Sequence, residues 1–471
     1  MGLFSILKEM EPFERRRGIL RLVTSLLQLI LGPSLAWKAG ESNQIGGFIS
    51  LGIYILVHLF SRFLIAGISS RGKTAATRAY KLSPSLLSLA AILCLLNEMG
   101  AIHEQYHVYI AMIAVPILLG SYEGGYWCSY HSIARYIKDN GGKKSDHADD
   151  FQRLEVLATF CSAILIFLLS QFIEYFNQYF AIPSVEILAS FFALILASTA
   201  TVMPSREINE KTRADHSPKS EEKKFAIFTF NVPLPETKND WSQGKLIAGN
   251  VGIIQVSIQN AMRMISLPAG GIELLSLFVA FAGFAGRIAE QQFEKKYPQG
   301  QNESAAVWKF RKALPIWPIS HKYVIAGILI MATSLFISEP KSPDSLGKEA
   351  LIVFIIGWLI AQASIMGSIR KSELFLATKF LKEQPLPPRN GKQIDHEGNL
   401  IGIRERMKFE VQIQFAIATL IAYPLYQFIG INQYKWVAFI LLFWSLILCI
   451  TNLRFTHFIQ QRYEKICNSS N

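Results

Sequence analysis

Residues 434–453 read YKWVAFILLFWSLILCITNL, and from Trp436 to Leu453 no side chain carries a charge. A run of about 20 such residues, wound as a helix, spans the roughly 30 Å hydrocarbon core of a bilayer. Working back along the chain, comparable stretches lie at 19–37, 47–67, 83–100, 108–131, 154–174, 183–203, 246–264, 269–289, 322–338, 349–369 and 411–430. With 434–453 they make two sets of six around a basic, Pro-containing linker. The expected fold class is an all-α polytopic membrane protein of 12 transmembrane helices in two six-helix halves.

Charge supplies the orientation. Short cytoplasmic loops collect Lys and Arg. Counting residues at span ends with the loop they adjoin, the amino terminus, alternate loops and the carboxyl terminus hold 40 of the 47 basic residues. The opposite loops hold five, Lys38, Arg263, Lys341, Lys348 and Lys435, while Arg21 and Arg62 lie inside or at the edge of spans. Both termini are therefore expected in the cytoplasm. The net charge of +12 reflects this topology and contact with an anionic leaflet, and excludes no less than it explains: no nucleic-acid partner is expected. Charged residues are 17% of the chain, against about a quarter in a soluble domain.

The organisation expected is a cytoplasmic segment at 1–18, a half at 19–203, a linker at 204–245, a half at 246–453 and a cytoplasmic tail at 454–471. The segment MGLFSILKEMEPFERRRG has no small-residue cleavage site, so no removable signal peptide is expected, and Ile6 does not fit a myristoylation pattern. The linker contains Lys219-Ser-Glu-Glu-Lys-Lys224, and FAIFTF at 225–230 suggests a short strand or a surface segment. Two cytoplasmic loops are long. In the first, 290–321, the surroundings of Trp308 and Trp317 suggest an interfacial helix with Trp at headgroup level. In the second, 370–410, a Gly-Asn turn at 398–399 between apolar residues suggests a hairpin. The five cysteines form no motif and read as small packing residues.

Polar groups within the spans carry the functional signal, because they are costly there and face the bundle interior or water. In the fourth span Glu123, Trp127, His131 and Arg135 recur every four residues, one stripe drifting about 40° per step. The seventh has Gln255, Gln259 and Arg263 beside Asn250 and Asn260; the tenth has Trp358 and Gln362; the first has Thr24 and Gln28. Spans three, six, nine and twelve are nearly uniformly apolar, as a lipid-facing support would be. Glu123 is the candidate proton carrier, since apolar surroundings favour the neutral carboxyl, and His131 is its candidate relay. Arg135 and Arg62 lie close enough to the headgroups to act as anchors. Arg263 offers a fork for a carboxylate or phosphate, or a salt bridge to Glu273. The amides Gln28, Gln255, Gln259 and Gln362, with Trp127 and Trp358, are candidate solute contacts; amides also join helices, at about 0.6–2 kcal/mol each.

On these stretches the chain resembles the major facilitator superfamily, whose 12 helices form two six-helix halves with the first, fourth, seventh and tenth helices lining a cavity. The loop between the second and third spans, Gly67-Ile-Ser-Ser-Arg71-Gly72-Lys73, matches that family's loop signature in its Gly and basic residues and lacks its Asp. The loop after the eighth span, Gly283-Phe-Ala-Gly286-Arg287-Ile-Ala-Glu290, is followed by Lys295 and Lys296. The resemblance implies gating roles for Arg71, Arg287 and Glu290. It also implies a secondary transporter, working by alternating access on a small polar or anionic solute. Proton symport is expected because no sodium site is evident.

No P-loop, His-Glu-x-x-His helix or Gly-x-Ser-x-Gly elbow occurs, so no enzyme, cofactor or metal is expected. His103 and His107 alone, at i, i+4, make a poor metal site. Two rivals are a non-transporting protein of the same fold and a membrane transferase using His58 or His131 as base. The expected setting is a bacterial inner membrane, with lipid and a small-molecule substrate as partners and a monomeric chain.

Overall fold

The computed structural model describes residues 44–69, 73–98, 100–126, 164, 168, 171, 172, 175, 238–298, 300, 305–337, 346–365, 369, 408–414, 416, 417, 420 and 434–469. Every regular element among them is helical, with no strand. The suggested strand at 225–230 and the hairpin near 398–399 lie outside the described residues, as do the first span and almost all of the fifth and sixth.

The chain divides into two compact units. The first unit comprises Met1–Val232, Pro385–Phe409 and Ala416–Leu425. It contains α1 (Gln44–Ser69), α2 (Lys73–Glu98) and α3 (Glu104–Tyr109). A π turn, Ile110–Ala114, follows α3, and the chain is helical again over 115–126. In the π turn the Val115 N–H donates to the Ile110 carbonyl, one residue further back than in an α-helix. Pro116 comes next, and the wider turn gives its ring room that an α turn would deny. One face of α2 buries Ser83, Leu87, Ala90, Ala91 and Cys94, while Leu82, Leu89, Ile92 and Leu96 are exposed. That outer row suits lipid, and residues Arg78–Asn97 and Gln105–Tyr126 are long and apolar enough to cross a bilayer.

The second unit comprises Pro233–Gln384, Glu410–Phe415 and Tyr426–Asn471. Its helices are α4 (Lys238–Lys296), α5 (Ala305–Ile337), α6 (Lys348–Ser364) and α7 (Tyr434–Ser469). Helices α5 and α6 pack on each other, and α4 packs on α6 and α7. Segments Arg311–Ile337 and Lys435–Gln461 are long and apolar enough to span. The four spanning segments identify a multi-pass membrane protein.

Here the helices outrun the expected spans. Helix α4 covers both 246–264 and 269–289 with no interruption at the expected turn. The break signal there, Pro268 with Gly270 and Gly271, is one that membrane helices tolerate. The expected loop 290–321 is helical to Lys296 and again from Ala305. Its second part is no interfacial helix: it runs directly into the ninth span, and Trp317, expected at headgroup level, is fully buried. The expected tail from 454 is helical to Ser469. The ninth and twelfth spans are not the featureless supports expected from their composition, because α5 and α7 carry buried His321, Ser334, Ser445 and Asn452.

Candidate functional site

In the first unit the site is built on Gly120, Gly124 and Gly125. A Cβ on Gly120 would lie 2.7 Å from the Tyr54 carbonyl oxygen and 3.0 Å from the His58 nitrogen. On Gly124 it would lie 2.7 Å from the His58 carbonyl oxygen and 2.9 Å from the Arg62 nitrogen. The 115–126 segment thus rests its backbone directly on that of α1, as small residues at i, i+4 permit. Gly125 faces the Ser83 side chain of α2, whose hydroxyl a Cβ there would meet at 2.7 Å. Glu123 is carried between the two contact glycines, and its Oε2 lies 3.7 Å from His58 Nδ1. Both side chains are about a fifth exposed (19% for His58, 23% for Glu123). The Tyr54 ring stacks near His58, at 6.1 Å between centroids, and Tyr122, Tyr126 and Tyr80 form a chain of rings 5.4–5.7 Å apart. An acid and a base in a partly shielded aromatic pocket can hold and pass a proton.

In the second unit Trp358 and Gln362 lie one turn apart on α6, both fully buried. Among the described residues the Trp358 indole N–H and both amide atoms of Gln362 have no hydrogen-bond partner, and neither does the Ser257 hydroxyl on α4. Each such group costs about 1–3 kcal/mol when left unmatched, so their retention calls for a reason. Gln255 and Gln259 are half-buried on α4.

A second polar cluster in this unit is satisfied. Asn250 donates to Asn452 Oδ1 at 3.0 Å, and Asn452 Nδ2 lies 3.3 Å from His321 Nε2. His321 Nδ1 lies 2.8 Å from the Trp317 carbonyl, and the Trp317 indole N–H donates to the Asn452 carbonyl at 3.1 Å. A carbonyl only accepts, so Nδ1 bears the ring proton and Nε2 accepts from Asn452. The chain of bonds ties α4, α5 and α7 together. Sequence reasoning singled out Asn250 but missed His321 and Asn452; the i, i+4 spacing of Trp317 and His321 was the available signal.

Of the expected site residues, the structure brings Glu123 against His58, outside the expected stripe, and places Trp358 and Gln362 on one buried face. Gln28, Arg71, Trp127 and His131 lie outside the described residues. Arg263, Arg287 and Glu290 fall within α4, their side chains outside the described set. No group of three metal-ligating side chains occurs among the described residues.

No family model matches the sequence, and no curated protein matches it. Solved structures do resemble it. A mutant of the nucleoside transporter NupG superposes with a TM-score of 0.56 at 12% identity, over 93% of this chain and 99% of that one. A POT family transporter in complex with a thioalcohol-conjugated peptide gives 0.58 at 12% identity, over 94% and 96%. A bacterial homologue of the iron transporter ferroportin, in an outward-facing state, gives 0.52 at 12% identity, over 96% and 100%. The chain has the major facilitator fold. At such identity the fold is what is shared; those proteins' solutes differ from one another and none transfers to this chain.

Proposed function

We propose that this protein is a secondary active transporter, not an enzyme, carrying a small polar solute across a bacterial inner membrane by alternating access. Both termini in the cytoplasm, and proton coupling through Glu123, complete the reading. The observation that carries it is the buried set on α6, the Trp358 indole and the Gln362 amide, which have no hydrogen-bond partner among the described residues. Apolar side chains would pack at those positions without an unmatched polar atom. A solute bearing hydroxyl, amide or similar groups would match them. Glu123, in a spanning segment and beside a base, is the group available for coupling.

The test is a thermal-shift screen of a metabolite panel on the purified full-length protein, followed by uptake into proteoliposomes. A ligand at a hundredfold excess over Kd stabilises by about 2.7 kcal/mol. The expected result is a hit whose shift disappears in Gln362→Leu and whose uptake depends on pH in the wild type but not in Glu123→Gln. A hit with uptake unaffected by either substitution would overturn the site. A protein that binds solutes but moves none would favour a non-transporting role.

A further inference from the structure

We infer that His58 and Glu123 form one acid–base site that titrates as a unit, with His58 as the proton partner of Glu123. Only the use made of that proton rests on the proposed coupling; the pair itself rests on geometry. His131, the relay expected from the sequence, lies outside the described residues. His58 Nδ1 is 3.7 Å from Glu123 Oε2, a distance a small side-chain rotation closes to a hydrogen bond. Passing the proton breaks the Nδ1–H bond, whose electron pair stays on the ring, and forms O–H from a carboxylate lone pair. The imidazolium and the carboxylate are neutralised together, so the step changes no net charge within the membrane. Two groups this close, only about a fifth exposed, interact by more than about one pK unit, and their proton steps then belong to the pair.

The separation is set by backbone, not by flexible side chains. Gly120 and Gly124 flank Glu123 and touch the α1 backbone at Tyr54, His58 and Arg62, so any Cβ there would push the base away from the acid. Other ionisable groups on the packed elements include Tyr54 and Arg62 on α1, Tyr122 and Tyr126 beside Glu123, Tyr80 and Cys94 on α2 with Arg78, Lys81 and Glu98 towards its ends, and His103 and His107 near α3. Arg62, one turn from His58, carries a guanidinium that keeps a constant positive charge.

The experiment is infrared difference spectroscopy of the full-length protein in lipid nanodiscs, titrated between about pH 4 and pH 9. The carboxyl band assigned to Glu123, by its loss in Glu123→Gln, is expected to change in two steps in the wild type, with the imidazole band changing in both. In His58→Asn the carboxyl band should collapse to a single step. Gly124→Ala, which leaves both titrating side chains in place, should weaken the sharing and narrow the gap between the steps. Should that variant fail to fold, His58→Gln serves as the second test. A single-step carboxyl titration in the wild type, or an unchanged two-step titration without His58, overturns the inference. A shared titration with pH-independent uptake would instead sink the coupling reading and leave the pair standing.

Discussion

Asn452 and Gln362 are both fully buried amides, and they should answer mutation in opposite ways. The Asn452 side chain donates toward His321 and accepts from Asn250. Asn452→Ala strands both partners, and the expected loss is about 1–3 kcal/mol for each group left unmatched. It would be measured as a lowered thermal midpoint in detergent. Gln362 has no partner to strand among the described residues, so Gln362→Leu is expected to leave stability unchanged or raise it while abolishing ligand binding, as at sites where function opposes stability. Glu123, Trp358 and Gln362 could be picked out from sequence because a carboxylate, an indole or an amide stands out in an apolar run. The partnership of Glu123 with His58 could not, because a distance between helices is written in neither local pattern. His321 and Asn452 were hidden for another reason: both sit near the ends of their apolar stretches, where polar residues are ordinary.

At the level of the helix, α5 and α6 meet backbone to backbone. A Cβ on Gly357 would lie 2.7 Å from the Gly327 carbonyl oxygen and 2.9 Å from the Met331 nitrogen. Backbone cannot yield as a flexible side chain does, so Gly357→Val should destabilise by about 1–3 kcal/mol or more. Ile356→Val, at the neighbouring and exposed position, should stay within about 0.5 kcal/mol. Denaturation of the two variants side by side checks the contrast; equal effects would mean the helices do not cross there. The element boundaries show what hydropathy can register. An apolar window marks where a helix meets lipid, and says nothing of how far the same helix continues beyond it. Hence α5 begins 17 residues before the expected span, and α7 continues past Leu453 to Ser469.

For the molecule as a whole, the distribution of Lys and Arg makes a prediction that cysteine labelling can check. Take a variant without native cysteines, and add Ser220→Cys in the linker or Ser342→Cys between the ninth and tenth spans. A membrane-impermeant maleimide should label intact cells at position 342 and reach position 220 only after permeabilisation. The reverse pattern would invert the topology. The fold itself was readable because lipid imposes a blunt requirement, long apolar helices, that composition and charge display directly. The outward row of α2, Leu82, Leu89, Ile92 and Leu96, has a consequence for divergence. A hydrocarbon chain accepts Leu, Ile, Val or Phe with little distinction, so such rows can drift freely while the helix stays where it is. What cannot drift is the small set of positions where backbone meets backbone, such as Gly120, Gly124, Gly327 and Gly357. Two chains can therefore agree at only about one residue in eight, as this one does with the transporters it superposes on, and still be drawn to the same plan.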